Sequence, residues 1–160
     1  MKLIDLHTHS LHSDGAQTPT DVVKTAASAG LSAIALSDHD CIEGVQESMD
    51  AGSRLGVEVI PAVELSAQSD TELHILGYFI DINNKRLQDT MKYALQVRDE
   101  RQEETCRKLR EQGFDITMEE ARAEAHGNPV LCRAHFAQIM VRKGYAESVK
   151  DAFNRYLSVG

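Results

Sequence analysis

Four short apolar runs in the first half of the chain each meet a histidine or a carboxylate, and helix-like segments follow the first two. Leu3 to Leu6 reads as a buried strand running into His7. Ala33 to Leu36 leads into Ser37-Asp38-His39-Asp40, Val57 to Val63 ends at Glu64, and Leu73 to Ile80 carries His74 near its start. Between the first two runs, Thr18 is placed to cap a helix, Pro19 suits its first position and Asp21 its first turn. That helix is expected to reach about Ala29 and stop at Gly30. A second is expected from Ile42 to Leu55, with Asp40 as a candidate cap and Gly56 as its stop. Alternation of strand and helix at this spacing predicts a parallel α/β sheet. Polar residues gather where the strands end, the edge at which barrels and open α/β sheets carry their sites.

The pattern changes near Asn84. Lys85 to Gln112 reads as one helix roughly 40 Å long at 1.5 Å per residue, with Leu87, Met91, Leu95, Arg98, Gln102 and Leu109 near one stripe. Gly113 ends it. Thr117 and Glu120 have capping-box spacing and open a short helix to about Ala125. His126-Gly127-Asn128-Pro129 reads as a turn, Leu131 to Lys143 as a further helix, and Ser148 as the cap of a last one through Leu157. The expected division is an α/β segment over residues 1–98 and an all-helical one over 99–160.

The formal charge of −8 argues against a general nucleic-acid coat protein. Residues 1–83 carry 3 Lys/Arg against 13 Asp/Glu, and five of the seven histidines. Such a segment suits a solvated surface, and it equally suits a site for several divalent cations. No apolar stretch is long enough to span a bilayer. The first residues are charged where an export signal needs an apolar core. Cys41, Cys106 and Cys132 have no CxxC spacing and read as ordinary thiols of a cytoplasmic protein.

His7 and His9, two apart on a strand, point to the same side and can share one metal ion. Asp14, in the Gly-containing loop that follows, can fold back over them. Taken alone, the pair reads as well as two polar residues leaving a strand. His39, flanked by Asp38 and Asp40, fits a ligand with carboxylate support. Glu64, at the end of an apolar strand, is either exposed at the sheet edge or paired, and its two oxygens can bridge two ions. His74 alone reads as a structural histidine. The four signals coincide at one sheet edge. A His/Asp/Glu set without cysteine suits Zn²⁺, Mn²⁺ or Fe²⁺.

Taken in succession, the motifs His7-Thr8-His9-Ser10-x-x-Ser13-Asp14-Gly15, Ser37-Asp38-His39-Asp40, Pro61-Ala62-Val63-Glu64-Leu65-Ser66 and His74-Ile75-Leu76-Gly77-Tyr78 resemble those of the PHP (polymerase and histidinol phosphatase) family. The nearest likeness is to a bacterial branch acting on nucleoside 3′,5′-bisphosphates and on the 5′ ends of short RNAs. The resemblance implies the N-terminal part of a distorted (β/α)₇ barrel with an all-helical insertion domain, and up to three divalent ions. It implies that His7, His9 and Glu64 serve one ion. Glu64 and His74 would then serve a second, and Asp14 and His39 a third. The family's centre also takes a later histidine and a C-terminal Asp-x-His, which these residues lack, so the chain is expected to be a piece of a longer protein.

The expected activity is metal-dependent hydrolysis of a small phosphorylated nucleotide or short RNA, with no membrane partner. Asp40 is the candidate to orient the attacking water and His12 a candidate proton donor. Arg133 and His135, near the start of a helix, are candidates for binding substrate phosphate, or equally an exposed arginine and a packed histidine. Arg98, Arg101 and Arg107 read as exposed helix charges paired with Glu100, Glu103, Glu104 and Glu111. Two other readings stay open. One is a metal-binding segment without turnover; the other is a helical interaction module on a relic half-barrel.

Overall fold

The computed structural model describes residues 2–67, 73–128 and 130–157. They fall into two compact units, Met1–Leu95 and Gln96–Gly160.

The first unit is mixed α/β. Its elements run β1 (Leu3–Thr8), α1 (Pro19–Ser28), β2 (Leu31–Leu36), α2 (Val45–Leu55), β3 (Glu58–Ala67) and β4 (Leu73–Tyr78), and α3 (Lys85–Glu111) begins in it. The sheet order is β1-β2-β3-β4. α1 forms where its signals place it. The Thr18 hydroxyl accepts from the Asp21 N–H at 3.1 Å, and Pro19 occupies the first position. Val22, Val23 and Ala26 of α1 pack with Ile34 and Leu36 of β2, Ala51 of α2, and Val57. That core anchors β2, whose end leads into His39, and the start of β3, the strand that carries Glu64.

In this unit three expectations change. The sheet is not all parallel: β1 and β3 each pair parallel to β2, but β4 pairs antiparallel to β3, with Ser66 opposite His74. Only five residues separate Ala67 from Leu73. A connection that short reaches an antiparallel neighbour and cannot make a parallel crossover. The reversal sets the start of β4 beside the end of β3, and so brings His74 to the edge that holds the other donors. β1 is not buried either. Leu3 is 49% exposed and Ile4 56%, because β1 is an outer strand of the described sheet. Finally, Asp40 does not cap α2. The helix begins at Val45 behind Gly44, and Asp40 is left-handed at φ 47°. Its N–H donates to the Glu64 carbonyl at 2.9 Å, which extends the β2–β3 pairing instead.

The second unit is helical: the rest of α3, then α4 (Met118–Glu124), α5 (Arg133–Arg142), α6 (Val149–Ala152) and a π-helical turn, Phe153–Leu157. Phe136, Ile139 and Met140 of α5 pack with Leu109 of α3, Ile116 and Ala121. The Thr117–Glu120 capping box forms, and the Ser148 side chain caps α6. His126 and Gly127 are left-handed, at φ 51° and 84°, as a turn requires; Pro129 lies outside the described residues. Met91, Arg98, Gln102 and Leu109 of the expected stripe are buried. The reading of Arg98 as an exposed charge is therefore overturned. Its Nη1 donates to Cys132 Sγ at 3.4 Å. Arg107 is the exposed partner of Glu104 and Glu111 that the sequence suggests.

Candidate metal centre

Glu64 is the hub of the first unit's sheet edge. It is 4% exposed, so its carboxylate is paired and not solvated. Its Oε2 lies 2.8 Å from His7 Nε2, 3.1 Å from His9 Nε2 and 3.5 Å from His39 Nδ1. Its Oε1 lies 2.8 Å from His74 Nδ1. Asp14 joins from the first loop, with Oδ1 3.5 Å from His9 Nδ1 and Oδ2 3.5 Å from His39 Nε2. Ring centroids step from His7 to His9 at 5.0 Å, from His9 to His39 at 4.8 Å, and from His39 to His74 at 4.8 Å.

The six donors that the sequence singles out are thus brought together. They form three overlapping groups in which one atom from each residue lies within 4.8 Å of the others: His7/His9/Glu64, His9/Asp14/His39 and His39/Glu64/His74. His9 and His39 each enter two groups, a sharing that the sequence does not suggest. Donors held about 2.1 Å from a common ion sit about 3–3.5 Å apart, and the carboxylate–imidazole distances here, 2.8–3.5 Å, lie close to that range. One further atom argues for a cation. His39 Nδ1 is buried with no hydrogen-bond partner among the described residues, and a buried polar atom without a partner is costly.

Electrostatics prepare the donors. Burial opposes ionisation of Asp14, but the hydrogen bond and charge of His39, with His9, outweigh it and hold the carboxyl at about 2. Burial likewise opposes ionisation of Glu64, and the His7 hydrogen bond and the charges of His39, His7 and His9 hold it below the usual range. Burial pushes the His9 imidazole down, more than Asp14 and Glu64 raise it. Anionic carboxylates and a neutral His9 are the forms that bind metal.

Around the donors runs a layer of polar support. Asp38, 1% exposed, accepts from the Ser10 N–H at 2.7 Å, the Ser10 hydroxyl at 2.6 Å and the Ser13 hydroxyl at 2.6 Å. These bonds pin the loop that carries Asp14. The sequence reading treats Asp38 only as a flanking carboxylate; the serines at 10 and 13, present in the first motif, are the available signal. Asp40 Oδ1 accepts from the Ser66 N–H at 2.8 Å, tying the residue after His39 to β3. Gly15 closes the loop. A Cβ there would lie 2.5 Å from the His9 carbonyl oxygen and 2.8 Å from the Ser10 nitrogen.

The remaining candidates enter none of these groups. The His12 ring lies against Gly44, where a Cβ would meet it at 2.9 Å. Arg133 and His135 belong to the second unit. Arg133 Nη1 donates to the Leu157 carbonyl at 2.9 Å, and its guanidinium lies 5.7 Å from the Phe153 ring centre. His135 Nδ1 accepts from the Cys132 N–H at 3.0 Å, inside the N-terminal turn of α5. No described helix is long and apolar enough to cross a membrane.

The chain is 34% identical over 160 residues to a 5′-3′ exoribonuclease of Haemophilus influenzae, covering 99% of this chain and 58% of that one. It is 34% identical over 161 residues to a 3′,5′-nucleoside bisphosphate phosphatase of Chromobacterium violaceum, covering 100% and 56%. A solved structure from Bifidobacterium adolescentis, provisionally described as a metal-dependent phosphoesterase, superposes with a TM-score of 0.89 at 28% identity, over 99% of this chain and 56% of that one. The chain therefore spans somewhat over half the length of the relatives it matches. The PHP domain model matches residues 5–159, a stretch that takes in all six donors, and the chain belongs to the PHP domain family.

Proposed function

We propose that this chain forms the metal-binding part of a phosphoesterase that hydrolyses phosphate esters of small nucleotides, such as nucleoside 3′,5′-bisphosphates, or acts at the 5′ ends of short RNA. The observation that carries the reading is Glu64, whose two oxygens lie within 3.5 Å of four imidazoles. The family resemblance gives the expected division. His7, His9 and Glu64 hold one divalent ion, Glu64 and His74 a second, and Asp14 and His39 a third. The ions are of the Mn²⁺, Zn²⁺ or Fe²⁺ class, the choice that a nitrogen and carboxylate set favours.

When bound, such ions neutralise phosphoryl oxygens and make water a nucleophile near neutral pH. The protein's share is placement. Asp38 holds the loop that presents Asp14. Asp40 ties the His39 segment to β3 through the Ser66 N–H, and it is retained as the candidate to orient the attacking water. His12 is retained as the candidate proton donor to the leaving oxygen. Arg133 and His135 are retained as candidates for substrate phosphate, and the residues from about 99 onward as a helical insertion. Three cysteines without disulfide partners support a reducing, cytoplasmic setting.

The names of the two relatives support the substrate class, and the activity is proposed for the whole protein to which these residues belong. A second reading is metal binding by these residues without turnover. Phosphate release from a nucleoside 3′,5′-bisphosphate and from a 5′-phosphorylated RNA pentamer, with added Mn²⁺, separates the two. Turnover lost in His9→Ala supports the enzyme. Tight Mn²⁺ binding with no turnover in either assay supports the second reading.

A further inference from the structure

β1 does not keep register with β2 throughout. Asp5 lies opposite Ile34 and Thr8 opposite Leu36, so three steps along β1 face two along β2. An extra residue of this kind is a bulge-like irregularity, and bulges re-aim side chains beside functional sites. Leu6 and His7 occupy the irregular step and have no register partner on β2. A bulge takes backbone groups out of the ladder, and each then needs another partner. Two of the backbone groups at this step, the His7 N–H and the Leu6 carbonyl, are bonded to side chains. The His7 N–H donates to Asp5 Oδ1 at 3.1 Å. The Leu6 carbonyl accepts from the Tyr78 hydroxyl at 2.9 Å, across 72 positions of sequence.

Tyr78 is the last residue of β4. β1 and β4 are the outer strands of the described sheet and share no ladder, so this hydroxyl links two strands that backbone pairing leaves apart. One of them carries His7 and the other His74. The His7 side chain is 48% exposed, so packing alone does not hold its ring against Glu64. The alternative, that Tyr78 simply covers a strand end, is weakened by its own exposure of 36%.

We propose that Tyr78 is a positioning residue for His7. Its hydroxyl holds the bulged Leu6–His7 step so that His7 Nε2 is delivered to Glu64, a role that builds on the metal centre proposed above. Without the hydroxyl, the Leu6 carbonyl turns to water, the peptide relaxes, and the His7 ring leaves its place.

The test is Tyr78→Phe, which keeps the ring and removes only the hydroxyl. Mn²⁺ or Zn²⁺ is titrated calorimetrically into chelator-stripped wild type, Tyr78→Phe and a control, Tyr93→Phe, whose tyrosine is 68% exposed on α3. The nitrogen shifts of the His7 imidazole are recorded in the metal-free forms. Loss of a group that orients a metal ligand typically costs about 10–100-fold in affinity, and that is the weakening expected for Tyr78→Phe, with altered His7 shifts and an unaltered control. A Tyr78→Phe protein that binds like wild type with unmoved His7 resonances overturns the positioning role and leaves the metal centre standing. So does one that is less stable yet binds metal equally well when folded. A wild type that binds no divalent metal overturns the metal centre, and the His7 resonances then decide on Tyr78 by themselves.

Discussion

Removing the Asp38 carboxylate is expected to loosen the first loop and, with it, the Asp14 side of the site. Asp38 is 1% exposed and accepts three hydrogen bonds, from the Ser10 N–H, the Ser10 hydroxyl and the Ser13 hydroxyl. The three donors are not equivalent. The hydroxyls can rotate toward other acceptors, whereas the Ser10 N–H is fixed and is left unpaired in a buried place. An unpaired buried donor costs about 1–3 kcal/mol, and a hydrogen bond to a charged group contributes about 1.5–3 kcal/mol. Allowing for non-additivity among neighbours, Asp38→Ala is expected to lose about 3–5 kcal/mol. Asp38→Asn keeps one oxygen to accept from both Ser10 N–H and Ser13, so it is expected to lose about 1–2 kcal/mol. Guanidinium unfolding of chelator-stripped protein measures both. The order Ala worse than Asn is the essential result. Losses below about 1 kcal/mol for Asp38→Ala, at an unchanged m-value, would refute the assignment of these bonds as the loop's anchor.

Gly15→Ala drives a methyl group into the His9 and Ser10 backbone, neither of which is a flexible side-chain end. Overpacking of this kind costs about 1–3 kcal/mol, and weaker metal binding should accompany it; unchanged stability and affinity contradict the close approach. His9 is held below its ordinary 6.5 by burial first. A group with a depressed folded value supports the fold above its unfolded value and withdraws that support as pH falls. The His9 contribution to the stability of metal-free protein should therefore fall as pH drops below 6.5, and His9 should be more than half neutral by nitrogen-15 shift at pH 6.5. The Asp14 contribution, present above 3.8, should persist until pH falls toward about 2. Burial, with the Glu43 carboxylate 2.7 Å away, pushes the Cys41 thiol up, so Cys41 should resist iodoacetamide in native protein at pH 8 and react after unfolding.

Much of this architecture is local and so is visible in the sequence. The Thr18 cap, the Thr117–Glu120 box and the Ser148 cap form where their residues predict, because each is decided within one helical turn. The six donors were legible as motifs taken together: His7, His9, His39 and Glu64 at or just past strand ends, Asp14 in the loop after β1 and His74 near the start of β4. What was not legible depends on distant partners. The direction of β4 follows from how far β3 continues past Glu64, and the apolar run stops at Val63 while the strand runs to Ala67. Asp40 has the composition of a helix cap, but pairing with Glu64 on β3 claims its backbone first. Leu3 and Ile4 look like core until the sheet order places β1 at an edge. Arg98 falls on the apolar stripe of α3, and burial beside Cys132 decides against an exposed charge. The bulge at Leu6–His7 leaves no trace in local sequence, since its partner Tyr78 lies on another strand.

The convergence of His7, His9, Asp14, His39 and His74 on Glu64 and on one another stands or falls on whether it binds cations. Titration of Mn²⁺ or Zn²⁺ into chelator-stripped protein, wild type beside Glu64→Gln, addresses that directly. Glu64 enters two of the three groups. Wild type is expected to bind more than one equivalent, and Glu64→Gln, its shape kept and its charge removed, to lose at least about tenfold in affinity and part of the stoichiometry. A wild type that takes up no divalent metal, or a Glu64→Gln protein that binds as wild type does, would contradict the metal centre.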